Sequence, residues 1–218
     1  LETAVQSYQK AIEIDASYTE AYNNLGNVYQ ELEQFDSAVQ SYQKALEIKP
    51  DYVAAQYSLG NTFMELGQLE EAVKSYKAAL KLKPDFVEAI NNLGITFFKL
   101  HQLDDAIRCY ERAIALDPDF ADAHNNIGTV LVELGQLEEA VKSYKAALKL
   151  KPDFAGAYNK LGSSLLELDQ LDESVRSYEA ALKHKPDYVE AINNLGIAFY
   201  KLQQIDDAMK YYKRALAL

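Results

Sequence analysis

Asn91-Asn92-Leu93-Gly94 is the stretch that decides the fold, because it is one copy of several. It recurs as Asn23-Asn24-Leu25-Gly26 and Asn193-Asn194-Leu195-Gly196, and with one change as Asn125-Asn126-Ile127-Gly128. Looser copies end at Gly60 and Gly162. The six glycines Gly26, Gly60, Gly94, Gly128, Gly162 and Gly196 stand 34 residues apart, as do Pro50, Pro84, Pro118, Pro152 and Pro186. A fixed period of this length signals a stack of like supersecondary units, each touching only its neighbours.

The phase of the repeat divides the chain. Residues 1–14 read as a second helix whose first helix is missing, so 1–18 is a truncated unit. Complete units follow at 19–52, 53–86, 87–120, 121–154 and 155–188, and 189–218 stops short of its last turn. No linker or low-complexity segment interrupts them, which predicts one continuous domain. The start at Leu1 and the ragged end at Leu218 read as a piece of a longer protein.

Two helices are expected in each unit. In 87–120, Ile90, Leu93, Phe97 and Leu100 fall at the three- and four-residue spacing of an amphipathic helix. The second helix runs from about Asp104 to Leu116, with Ala106, Ile107, Tyr110, Ala113 and Ile114 inward. Ala89 and Gly94 keep the first face low, so that another helix approaches closely. Pro118 ends the unit. Ser17-x-x-Glu20, Asp85-x-x-Glu88 and Asp187-x-x-Glu190 fit capping boxes or their Asp variant. Gly67 and Gly135 suit a left-handed closing residue, a place taken elsewhere by Glu33, His101, Asp169 and Gln203.

These residues resemble the tetratricopeptide repeat, whose Leu-Gly pair, following aromatic and second-helix Ala-x3-aromatic recur in phase along the whole chain. Leu59-Gly60, Leu93-Gly94, Ala72/Tyr76 and Ala106/Tyr110 are examples; Ser174/Tyr178 is a variant. The Trp position is lost, and Leu131 and Leu165 replace the aromatic in two units. The resemblance implies an all-α, right-handed superhelical solenoid of antiparallel helix pairs, with first helices lining an inner groove. Glu65–Phe86 repeats as Glu133–Phe154, and Val87–Ile95 as Val189–Ile197, so the copies are recent duplications or an engineered array.

The face opposite the packing stripe carries Glu88, Asn92, Ile95 and Lys99, with Asn91 and Phe98 beside it. Stacking makes Asn24, Asn92, Asn126 and Asn194 a ladder interrupted by Ser58 and Lys160. A carboxamide can bond both groups of a peptide unit. The expected groove therefore comprises Asn23, Asn24, Asn27, Asn61, Asn91, Asn92, Ile95, Phe98, Lys99, Asn125, Asn126, Asn159, Lys160, Asn193, Asn194 and Tyr200. The competing reading is a solvated polar face copied by duplication. The ladder resembles that of the repeat region of O-linked N-acetylglucosamine transferase, which implies a backbone-reading peptide groove. Met64, Ile95, Phe98, Val132, Leu166, Ile197 and Tyr200 read equally as ligand pockets or as residues half-covered by the next unit. Glu20, Glu88, Asp122 and Glu190 read first as caps and second as attractors of basic ligands.

Charge and composition bound the partners. Twenty-two Lys and Arg against 33 Asp and Glu give a net charge of −11, which argues against nucleic acid and favours basic or neutral peptide segments. No apolar run approaches a membrane span. A lone cysteine, Cys109, fits a reducing, intracellular location, with the cytoplasm expected. His101, His124 and His184 pair with nothing in a metal or nucleophile pattern, so no catalytic constellation, metal or cofactor is expected. The expected function is a protein-interaction scaffold. The alternatives are a substrate-recruiting arm of a glycosyltransferase and a structural or self-assembling spacer. The last helix, with Tyr211, Tyr212, Ala215 and Leu216, lacks a cover, which predicts weak end-to-end association.

Overall fold

A computed structural model describes all residues 1–218 as thirteen α-helices joined by short turns. After α1 (Glu2–Ile14) come six helix pairs. The first helices are α2 (Thr19–Glu31), α4 (Val53–Glu65), α6 (Val87–Lys99), α8 (Ala121–Glu133), α10 (Ala155–Glu167) and α12 (Val189–Lys201). The second helices are α3 (Phe35–Ile48), α5 (Leu69–Leu82), α7 (Leu103–Leu116), α9 (Leu137–Leu150), α11 (Leu171–His184) and α13 (Ile205–Leu216). They form two compact units, Leu1–Leu116 and Asp117–Leu218. In each, every first helix packs on its own second helix, and second helices such as α3, α5, α9 and α11 pack on the first helix that follows.

One glycine per pair sets the closeness of that packing. A Cβ added at Gly94 would stand 2.6 Å from Cε1 of Tyr110, and one added at Gly26 would stand 2.5 Å from Cε1 of Tyr42. The missing side chain is the space the tyrosine ring occupies. Tyr42, Tyr76, Tyr110, Tyr144 and Tyr178 are all buried, flanked by buried alanines such as Ala38 and Ala45. Around them the first helices contribute Leu25, Leu59, Leu93, Leu161 and Leu195.

The turn closing each first helix contains one left-handed residue, at the six expected places. Gly67 and Gly135 have φ of 70° and 71°; Glu33, His101, Asp169 and Gln203 lie between 56° and 62°. Four units thus accept a side chain in a conformation that glycine enters freely.

The capping boxes are corrected. The N-caps of α2, α6 and α12 are Tyr18, Phe86 and Tyr188, without a side-chain cap hydrogen bond. Ser17, Asp85 and Asp187 therefore lie one residue too early to cap. Aromatic residues hold the N-cap of all six first helices, and at four of them the ring lies under a lysine from the preceding turn. Lys83 Nζ is 4.7 Å from the Phe86 ring centre and Lys185 Nζ 4.9 Å from that of Tyr188, with Lys49–Tyr52 and Lys151–Phe154 alike. At Phe86 and Tyr188 the lysine over the ring, worth about 0.5–1 kcal/mol, is comparable with the side-chain cap forgone, about 1 kcal/mol; Ser17 Oγ donates instead to Asp15 Oδ1 at 2.6 Å.

Candidate functional site

Each first helix carries two neighbouring polar positions, and their roles differ. The leading one is buried in four repeats, at Asn23, Asn91, Asn125 and Asn159. Only Asn193, in the last repeat, is exposed. The groove expectation placed all five on the open wall; burial takes the first four off it. The trailing position, at Asn24, Asn92, Asn126, Lys160 and Asn194, is half-buried.

The trailing residues reach back one repeat. Asn92 Nδ2 donates to Tyr57 Oη at 3.1 Å and to Asn61 Oδ1 at 3.0 Å, joining α6 to α4. Asn194 Nδ2 donates to Asn159 Oδ1 at 3.2 Å, joining α12 to α10. The sequence separation is the same in both repeats, 35 residues from Tyr57 to Asn92 and from Asn159 to Asn194. Asn159 in turn donates to Glu190 Oε1 at 2.9 Å, so Glu190 is an acceptor across the junction rather than a cap. Within the helix, Asn91 and Asn125 donate to Asn92 Oδ1 and Asn126 Oδ1 at 3.4 and 3.2 Å. Much of the ladder's hydrogen-bonding capacity is thus spent between repeats.

Where the ladder is interrupted, an acceptor is stranded. Asn23 Oδ1 and Asn125 Oδ1 are buried without a hydrogen-bond partner. Thirty-five residues on from them stand Ser58 and Lys160, the two departures from asparagine. Serine is too short to make the bond. Lys160 Nζ goes instead to Thr129 Oγ1 at 2.8 Å. Burial holds the Lys160 pKa below its ordinary value, opposed by the charge of Glu190.

The residues three positions further on anchor the core tyrosines. Tyr42 Oη donates to Asn27 Oδ1 at 2.8 Å, Tyr76 Oη to Asn61 Oδ1 at 2.7 Å, and Tyr178 Oη to Ser163 Oγ at 3.1 Å. Burial raises the pKa of all five buried tyrosines, that of Tyr42 to about 12. Asn27 and Asn61 are therefore half-buried supports for the wall. Tyr57, Tyr188, Ser163 and Thr129, absent from the expected set, belong to the same network. The signal for them was the repeat register, which places Tyr57 where Asn23 and Asn91 stand.

On the same face, a cavity of about 160 Å³ opens among α8, α9 and α10, lined by Thr129, Val132, Tyr144, Lys160, Ser163 and Glu167. Ile95, Phe98, Met64, Leu166 and Ile197 are half-buried, Lys99 and Tyr200 exposed. Lys201, in the place of Lys99, donates to the Leu166 carbonyl at 3.4 Å.

Outside this face the reactive residues have ordinary surroundings. Cys109 is half-buried, and burial pushes its thiol up to about 11, so it is a poor nucleophile. His184 stacks on Tyr158, ring centres 5.9 Å apart, and His124 Nε2 lies 3.3 Å from the Pro118 carbonyl oxygen. No group of three His, Cys, Asp or Glu side chains is placed to hold a metal ion. No helix is long and apolar enough to cross a membrane.

Comparison with known proteins places these features in a family. The model of the cilia and flagella-associated protein 70 C-terminal domain, a tetratricopeptide-repeat domain, matches residues 1–218. A search of curated proteins found no match. Among solved structures, a MamA protein is similar at 30% identity and a TM-score of 0.67, over 78% of this chain and 92% of that one. YrrB, described as a TPR protein with an unusual peptide-binding site, is 24% identical with a TM-score of 0.66, over 86% and 97%. PilF of Pseudomonas aeruginosa is 19% identical with a TM-score of 0.79, over 90% and 89%. At such identities the last two show the fold alone.

Proposed function

The chain belongs to the tetratricopeptide-repeat family of the cilia and flagella-associated protein 70 C-terminal domain, and from that premise we propose that it is a non-catalytic scaffold holding an extended segment of a partner protein. The segment lies along the first helices. Asn24, Asn92, Asn126, Lys160, Asn193 and Asn194 supply the polar contacts, and Ile95, Phe98, Lys99 and Tyr200 flank them. Asn23, Asn27, Asn61, Asn91, Asn125 and Asn159 hold the wall from behind.

The observation that carries this reading is the recess beside Lys160. It lies on the ladder face, pairs hydroxyls with an aromatic ring, and is large enough for one side chain. The net charge of −11 favours lysine- or arginine-bearing segments. An arm of a larger glycosyltransferase is the second reading; its single support is the asparagine ladder, and it requires a transferase domain in the same polypeptide.

The test is calorimetric titration of a captured partner peptide against Lys160→Ala with Asn194→Ala, and against Lys142→Ala as control. Lys142 is exposed on α9. The expected result is weakening by the double variant alone, by about 1–3 kcal/mol for two or more lost hydrogen bonds. Equal affinity for all three chains would contradict the proposal.

A further inference from the structure

We infer that a recess between α2 and α4 receives the side-chain carboxamide of an asparagine or glutamine in the bound segment, an inference that rests on reading this face as a groove for a partner protein. The recess measures about 360 Å³ and is lined by Asn27, Gln30 and Glu31 of α2 and by Ser58 and Asn61 of α4. It lies where the asparagine ladder is broken. At the next junction Asn92 holds the place of Ser58 and donates to Asn61, the counterpart of Asn27. Serine fills less of that place and leaves it open.

The bonds behind the recess fix which atoms face it. Asn27 Oδ1 accepts from Tyr42 Oη at 2.8 Å, and Gln30 Oε1 accepts from Tyr42 Oη at 3.1 Å and Thr62 Oγ1 at 3.3 Å. Asn61 Oδ1 accepts from Tyr76 Oη at 2.7 Å and Asn92 Nδ2 at 3.0 Å. Holding each oxygen against these donors turns the NH2 of the same planar amide the other way, towards the recess. Asn27 and Asn61 thus support the wall with their oxygens and present donors with their nitrogens. The arrangement belongs to this junction. In the later repeats the place of Gln30 is taken by Met64, Phe98, Val132, Leu166 and Tyr200.

A wall of NH2 groups with one carboxylate at hand selects its occupant. A cation would set further donors against the three NH2 groups. An anion would face Glu31 in a chain of net charge −11. An apolar side chain would cover the three NH2 groups and leave them unpaired, which is destabilising. A carboxamide meets both needs: its oxygen accepts from the NH2 groups, and its own NH2 donates to Glu31. A trans peptide unit has the same chemistry, but its N–H and C=O point opposite ways, so one recess pairs only one of them. A side chain brings both to its tip.

Panning a phage-displayed library of random peptides on the intact chain is the test, read by sequencing the enriched peptides. The expected result is asparagine or glutamine at one fixed place in the enriched pattern. Replacing that residue in an enriched peptide by the matching acid, or by methionine, is expected to weaken binding about tenfold. Gln30→Met, which installs the residue of position 64, is expected to abolish the preference for carboxamide over methionine. Ser58→Asn is expected to do the same by filling the recess, with circular dichroism confirming the fold of both variants. Enriched peptides that bind equally well without a carboxamide overturn the inference and leave the groove reading standing. So does a preference that survives in either folded variant. No enrichment at all overturns both.

Discussion

Asn92 on α6 donates its side-chain N–H to the hydroxyl of Tyr57 on α4 across 3.1 Å, and the same nitrogen reaches Asn61 Oδ1 at 3.0 Å. A residue whose spacing places it on the groove wall is thus also a fastener between repeats. Any assay that removes it reads stability as well as binding.

The first prediction follows from that pair. Asn92→Ala loses two inter-repeat hydrogen bonds at about 0.5–1.5 kcal/mol each. It regains roughly half a kcal/mol in helix propensity. Urea denaturation is expected to show a net loss of about 0.5–2.5 kcal/mol. Unchanged stability would mean that the bonds to Tyr57 and Asn61 contribute nothing.

The stranded acceptor gives the opposite sign. Ser58→Asn places a carboxamide 35 residues after Asn23, as Asn194 stands to Asn159. It is expected to raise stability by about 1 kcal/mol by satisfying Asn23 Oδ1. A lowered melting temperature would show that the α2–α4 junction cannot admit the longer side chain.

Two glycine exchanges contrast packing with backbone conformation. Gly94→Ala gains helix propensity but drives a Cβ to 2.6 Å from the buried Tyr110 ring. Overpacking costs about 1–3 kcal/mol, so a net loss is expected. His101→Gly removes a side chain from a residue at φ 56° and is expected to stabilise by up to about 1 kcal/mol. Thermal melts of the two variants, shifted in opposite directions, check both.

Alkaline pH is expected to unfold the chain through its buried tyrosines. Burial raises their pKa above the ordinary value of about 10, to about 12 for Tyr42. The native state favours the neutral phenol, so this contribution is complete below pH 10 and is lost as pH rises through the native values. Melting temperatures are expected to fall steeply above about pH 10, and less steeply for Tyr42→Phe. Identical slopes for both chains would remove Tyr42 from the account.

The fold was legible because its determinants are local and repeated. Gly94 predicted the close approach that Tyr110 fills, and Gly67 and Gly135 marked a turn position that four other residues share. Capping was misread at Ser17, Asp85 and Asp187 because the pattern shows which side chains can cap, not that the aromatic neighbour, Tyr18, Phe86 or Tyr188, takes the cap position. The ladder was half legible. Its face and members could be read from Asn24, Asn92, Asn126 and Asn194. Which neighbour each carboxamide reaches depends on the stacking distance between repeats, and no spacing within one repeat encodes that. The 35-residue relation of Tyr57 to Asn92 was present in the numbering, visible only once the bond was seen.

The most direct measurement of the central claim is photo-crosslinking from two places in the second unit. A photoreactive residue replaces Val132, in the recess on the ladder face, or Lys142, exposed on α9. The account predicts that a bound partner segment crosslinks from position 132 and not from position 142. Crosslinks from position 142 alone would contradict it and move the binding surface to the second helices.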